Sequence, residues 1–239
     1  MDATAEFSVN FAFVLEPVQI KKVYKLLKDR IAKPNINAKC SDDMVREFVD
    51  VKNLLEYENS CDRRILSLTF WSKTEDWKKQ ARISFTEHSW GTINFTVEGA
   101  ENTVIRLKEE LGEIVDGTKA WYWRISRIDF FYVILVIAFI GYTVLKVYTD
   151  TLEKSSSKEE FDLLKTLGAI GILTGVIALF PASIWTLNLL RRRFFPAAVF
   201  AIGQESKRFQ IDDKIRWTLI GGFLVSFAAS IVVAAILSV

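Results

Sequence analysis

Trp71, Lys73, Trp77, Lys78, Lys79, Arg82, His88 and Trp90 fall within one short stretch, FWSKTEDWKKQARISFTEHSWG. Indole faces stack on bases while lysine and arginine meet phosphates, so these residue types together suit a nucleotide or a single-stranded oligonucleotide. A plainer arrangement fits the same spacing: a β-hairpin that packs its tryptophans in a sheet and carries its basic residues at the edge. Catalytic chemistry has no comparable cluster. The chain contains no P-loop, no G-x-G-x-x-G after a strand, no G-x-S-x-G and no H-E-x-x-H. Acids such as Asp42, Asp43, Glu109 and Glu110 are scattered and suit a solvated surface. His88 is the single histidine, so no zinc set of the usual spacing can be assembled. The expectation is a protein that is not an enzyme, with no catalytic residue, no cofactor and no metal.

The elements around this cluster read as a mixed α and β domain over residues 1–118. EFSVNFAFVL (6–15) places Phe7, Val9, Phe11 and Phe13 on one face with the period of a strand. After Pro17, the apolar Ile20, Val23, Leu27 and Ile31 recur at helical spacing, with Lys21, Lys22, Lys25 and Lys28 turned away. VREFVD suits a strand and VKNLLEYE a short helix. RRILSLTFWS, ARISFTEH and GTINFTVEG then follow as strands, the last two flanking a tight turn at Ser89-Trp90-Gly91. AENTVIRLKEELGEIV closes the series as a helix with Val104, Leu107, Leu111 and Ile114 on one face. The fold class predicted is therefore an α+β cytosolic domain, an antiparallel sheet with helices on one side.

The remainder, 119–239, reads as membrane. Thr166–Leu190 and Trp217–Val239 carry no charged residue, and each exceeds the roughly 20 apolar residues that cross a hydrocarbon core. Phe130–Leu145 reaches spanning length if Asp129 sits at the headgroups and Lys146 snorkels. Three transmembrane helices are expected, at about 128–148, 166–190 and 217–239, in a multi-pass protein of the inner (cytoplasmic) membrane. Basic residues set the orientation. Lys119, Arg124 and Arg127 precede the first run, and Arg191, Arg192, Arg193, Lys207, Arg208, Lys214 and Arg216 lie in the expected cytoplasmic loop 191–216. The segment KVYTDTLEKSSSKEEFDLLK between the first two runs is richer in acids. This puts the N-terminus in the cytoplasm and the C-terminus outside. MDATAEFSVNFAF has neither a basic start nor an apolar run, so no secretory signal is expected. Cys40 and Cys61 then fit reduced thiols.

Gly222, Ser226, Ser230 and Ala234 recur every fourth residue in the last run, and Gly171 and Gly175 contribute to a similar stripe in the second. Small residues let helix backbones approach closely in lipid. They point to a homo-oligomer, such as a tetramer, around a pore, or to packing within one protomer. Arg191, Arg192, Arg193, Phe195 and Pro196 open the loop. Pro196 disfavours helix at Phe195, so the second helix should break there. Phe194, Phe195, Val199 and Phe200 are expected in a short interfacial helix ended by Gly203, placed to couple the domain to a gate.

The whole layout, with KAWYWRISRIDFF and RRRFFPAAVFAIGQESKRF at the membrane boundaries, resembles prokaryotic anti-phage membrane effectors of the Hailong and cyclic-oligonucleotide defence systems. That resemblance implies a cytosolic sensor domain for a nucleotide or single-stranded DNA oligomer made by a partner nucleotidyltransferase. It also implies an effector that opens a pore or disrupts the lipid bilayer. The alternative is a non-catalytic, membrane-anchored adaptor whose domain binds a cytosolic protein partner.

Overall fold

The computed structural model describes residues 2–88, 92–136, 139–141, 143, 146 and 184–237. The chain divides into two compact units, Met1–Ser126 with Pro196–Val239, and Arg127–Phe195.

The first unit is built on a six-stranded sheet in the order β1-β7-β6-β5-β3-β4, every neighbouring pair antiparallel. Its strands are β1 (Asp2–Asn10), β3 (Asn35–Cys40), β4 (Val45–Phe48), β5 (Ile65–Lys73), β6 (Gln80–Thr86) and β7 (Thr92–Ala100). Alternation with period two sorts the two faces. Ile36, Ala38, Leu68, Phe70, Ile83, Phe85, Ile93 and Phe95 are buried beneath α1 (Pro17–Arg30) and α3 (Glu101–Asp116). The helices contribute Ile20, Val23 and Leu27 from α1, and Val104, Leu107, Leu111 and Val115 from α3. The short α2 (Val51–Leu55) adds Leu54 and is capped by Asp50, whose carboxylate accepts from the Asn53 amide at 2.9 Å. The opposite face of the sheet is polar, with hydroxyl pairs Ser67–Thr86 at 3.2 Å and Thr69–Ser84 at 3.0 Å. The α+β class with an antiparallel sheet and helices is thus observed.

The expected strand over 6–15 is two strands. β1 pairs along the full length of β7, and its last partner is Asn10 against Thr92. Beyond that point no β7 backbone remains, and the chain turns through Phe11 and Ala12 into β2 (Phe13–Leu15). β2 pairs in parallel with β8 (Ala198–Phe200), a strand from the far side of the second unit in sequence. Of the segment expected as an interfacial helix, Phe194 ends a helix and Phe195 lies in a bend, both in the second unit, while Val199 and Phe200 are extended backbone inside the first. Val199 and Phe200 are buried, and the Phe200 ring meets Phe13 edge-on at 5.8 Å between centroids. Apolar residues at 197–202 satisfied the pattern of a membrane-surface helix, but the carbonyl of Leu15 and the amide of Phe13 supply the strand partners that lipid cannot.

Gly203 starts a helix rather than ending one. α4 (Gly203–Leu237) is continuous through the expected loop and on into the last apolar run. Residues 191–216 are thus no loop. They comprise a helix end at 194, β8, and the first 14 of the 35 residues of α4. The charge-free run marked only the apolar part of that helix. Its polar part is held by ion pairs at helical spacing, Glu205–Arg208 at 2.6 Å and Asp213–Arg216 at 3.2 Å.

Where three membrane-crossing helices were expected, α4 is the one helix among the described residues long and apolar enough, over Gly203–Ile231, with 6% of its most apolar window buried. In the second unit the first expected span is described as an apolar helix over Phe130–Gly141, with residues 143 and 146 also helical and the rest of 128–148 beyond them outside the described residues. The second expected span lies outside the described residues except at 184–190, which is helical and continues to 194. Gly171 and Gly175 are likewise outside them.

Candidate functional site

The tip of the β5–β6 hairpin is a six-residue turn tied by its own polar groups. The Thr74 amide donates to the Lys79 carbonyl at 2.9 Å, and the Trp77 amide donates to the Thr74 carbonyl at 3.1 Å. Thr74 Oγ1 donates to Asp76 Oδ1 at 2.6 Å, which together with the Lys78 amide holds the Asp76 carboxyl below the usual carboxylate range. The turn forces Trp77 to φ +58°, a conformation uncommon for a bulky side chain, and leaves it 61% exposed. A large apolar ring is thus held in a costly backbone conformation and left open to water.

Around Trp77 the sheet geometry gathers most of the predicted ligand residues. Trp71 and Arg82 are directly opposed on β5 and β6, both on the polar face. Lys73, two residues after Trp71, points the same way, and its Nζ lies 4.8 Å from the Trp71 centroid and 3.3 Å from that of Trp77. The two indoles are 6.4 Å apart and inclined at 59°. With Lys73 between them, no planar base enters that gap; the free stacking surface is the outer face of Trp77. Lys78 and Arg82 are exposed beside it and Lys79 is half-buried.

His88 is not part of this group. It follows β6 at the opposite end of the hairpin, and the seven residues Gln80–Thr86 separate it from the tip by about 20 Å at 3.4 Å per residue. Trp90 lies outside the described residues. The cluster that looked continuous in sequence is thus divided by the length of a strand: six of its members at one end, His88 at the other. Among the described residues no group of His, Cys, Asp and Glu is arranged to hold a metal ion.

The predicted gate-coupling residues sit in two settings. Arg191, Arg192 and Arg193 lie in the last helical turns before 195, in the second unit, where Arg191 donates to the Ile128 carbonyl. Phe195 follows the helix end, its amide bonded to the Arg191 carbonyl at 2.7 Å. Pro196 begins the extended passage into β8 in the first unit. Gly222, Ser226 and Ser230 lie along the exposed part of α4, with Ala234 one turn further on.

Sequence reasoning missed the residues that join α4 to the domain. Asn59 is fully buried with φ +48° and bridges three elements. Its Nδ2 donates to the Phe200 carbonyl at 2.9 Å, its Oδ1 accepts from the Ile65 amide at 2.8 Å, and its carbonyl accepts from Arg208 at 2.7 Å. At the other end Arg216 is buried, over Tyr122 at 4.8 Å and Phe209 at 5.1 Å. Burial pushes the Tyr122 hydroxyl above the usual phenol range. Two signals were present: an asparagine, one of the few residue types that tolerate positive φ, and an arginine as the last charge before an apolar run.

No protein-family model, no curated protein and no solved structure matches this chain.

Proposed function

We propose that this chain is a homo-oligomeric membrane effector without catalytic activity. Its cytosolic domain receives a nucleotide or single-stranded DNA oligomer made by a partner nucleotidyltransferase, and its helices open a pore or disrupt the inner membrane in anti-phage defence. The observation that carries the membrane part is the surface of α4 beyond Arg216. Trp217, Leu219, Phe223, Leu224, Val225 and Phe227 are all exposed, and an apolar surface of this extent needs lipid or protein to cover it. The charge-free runs at about 128–148 and 166–190 add two further crossings in this reading, with the N-terminus inside and the C-terminus outside.

Assembly is supported by the small-residue face of α4. The Ser230 hydroxyl donates to the Ser226 carbonyl of its own helix at 2.9 Å, so the face needs no outside partner for that group and can approach another helix closely. Ligand control is supported by the Trp71–Lys73–Trp77 group with Lys78 and Arg82. It lies on the end of β5 away from α4, open to a solute. The layout's resemblance to anti-phage effectors supplies the biological setting.

The experiment is ion flux from proteoliposomes holding the full chain, with and without a short oligo(dT) as probe. Flux should change with the oligomer. That response should be lost in Trp77→Gly combined with Lys78→Ala, while Ser226→Leu with Ser230→Leu should abolish flux under either condition. A wild-type chain that passes no ions in either condition contradicts the pore.

One observation favours the second reading, a membrane-anchored adaptor. β1 is a nine-residue edge strand with no proline or lysine, next to a groove lined by Phe7, Phe95, Ile105, Lys108, Glu109 and Gly112. Such an edge accepts an extended peptide as an added strand. An adaptor predicts no flux in the same assay.

A further inference from the structure

We infer that the α+β domain grips α4 at two separated points, one centred on Asn59 and one on Arg216, so that domain and membrane helix move as one rigid lever. The inference rests on reading α4 as a membrane helix and says how a change at the domain reaches it. A helix held at one point can pivot about it. Held at two, it is fixed in tilt and in rotation.

The first grip is at the start of the helix. The Gln204 amide donates to the Glu58 carbonyl at 2.7 Å, and Arg208 reaches back to the Asn59 carbonyl and to Cys61. Asn59 in turn fixes the Phe200 carbonyl and the first amide of β5. The second grip, at Arg216, lies twelve residues beyond Gln204 and eight beyond Arg208, about 18 and 12 Å along the helix at 1.5 Å per residue. There the Arg216 guanidinium, 1% exposed, lies over the Tyr122 ring of the domain, while Phe209 and Asp213 of α4 itself hold it in place, the latter at 3.2 Å. Trp121 Nε1 donates to the same Asp213 carboxylate at 3.1 Å, and its ring stacks on Trp217 at 5.0 Å and 25°. A planar cation between two rings and a carboxylate is a task for arginine, which lysine's point charge does not reproduce.

The two grips belong to one closed circuit. The segment carrying Trp121 and Tyr122 is bonded to β2 and to the turn before it, the Ala120 amide donating to the Ala12 carbonyl at 2.9 Å and the Val14 amide to the Thr118 carbonyl at 2.8 Å. β2 pairs with β8, and β8 leads into α4. No flexible joint is left between sheet and helix within this circuit. From Trp217 to Leu237 the helix projects about 30 Å, so a rotation of the domain by ~10° carries its end by about 5 Å, a helix-turn-sized displacement.

The test is a spin-label distance in the full chain in nanodiscs, between Glu109→Cys on α3 and Leu224→Cys on α4, an exposed position on the side of the helix away from Ser226. The background is Cys61→Ser, whose hydroxyl still offers Arg208 an acceptor, Cys40 being buried, and unlabelled chain is added in excess to suppress distances between copies. The parent should give one narrow distribution. Arg216→Ala and Arg216→Lys should each broaden it at least twofold, and Lys214→Ala, an exposed neighbour, should leave it unchanged. Trp121→Ala, a half-exposed change outside the core, should broaden it to an intermediate width and decides the matter if Arg216→Ala does not fold. A width unchanged in both Arg216→Lys and Trp121→Ala overturns the inference. The distance is read without ion flux. A gripped helix in a chain that passes no ions leaves this inference standing and removes the pore, while a broad parent distribution with normal flux does the reverse.

Discussion

Phe200→Ala is expected to destabilise the α+β domain by about 3–5 kcal/mol, the range for removing a buried phenylalanine from a packed core. Such a loss is a large share of the roughly 5–15 kcal/mol by which domains are stable. The reason is geometric. Phe200 ends a three-residue strand whose neighbours Ala198, Val199, Ala201 and Ile202 are also buried, and its ring closes on Phe13, itself packed edge-on to Phe85 at 5.8 Å. Nothing lipid-facing behaves this way. A phenylalanine at a bilayer surface, replaced by alanine, leaves the α+β domain's unfolding midpoint in place. Urea unfolding of the full chain in detergent, followed by tryptophan fluorescence, separates the two. A shift worth under 1 kcal/mol contradicts the placement of 197–202 in the core.

Gly203→Ala is expected to do comparable damage by another route. Gly203 has φ +54°, and a Cβ there meets the Glu58 carbonyl oxygen at 2.3 Å and the Tyr57 carbonyl oxygen at 2.5 Å. Both obstacles are backbone, so neither can swing aside. The left-handed conformation alone costs an L-residue roughly 1–2 kcal/mol. The overlap adds to that until the Gln204–Glu58 hydrogen bond breaks and the start of α4 lifts off the domain. The same urea titration should show a loss of 2 kcal/mol or more, and proteolysis should open new cleavage near 203. A control at Gly112, which has open space around it and an ordinary helical setting, should tolerate alanine with no loss.

These two positions also mark where sequence reading ended. The alternation in β5, β6 and β7 and the apolar stripes of α1 and α3 were legible, because each is local and repeats several times within one element. Even there the edge blurred: Val115, not Ile114, completes the buried stripe of α3. β3, with the sequence NINAKC, passed unseen because only Ile36, Ala38 and Cys40 carry its buried face, and its outward residues are polar on both sides. β8 was invisible for a deeper reason. A three-residue strand has no period to read, and its partner is at the other end of the chain. The hairpin cluster misled by density. Residues close in sequence were assumed close in space, whereas a strand of seven residues carries Trp77 and His88 to opposite ends. Arg216 was counted as one more basic residue at a membrane surface. Its burial over Tyr122 is a property of the tertiary contact, of which the sequence shows only that Arg216 is the last charge before the apolar run.

In the proposed function α4 leaves the domain at Arg216 and crosses a bilayer. The most direct measurement is labelling by a membrane-impermeant maleimide in oriented vesicles, comparing Cys61, native and exposed on the domain, with Ser238→Cys beyond the end of α4 in sequence. In inverted vesicles Cys61 should label and Ser238→Cys should not; in right-side-out vesicles the pattern should reverse. Labelling of both positions from the same side, in either preparation, contradicts the crossing.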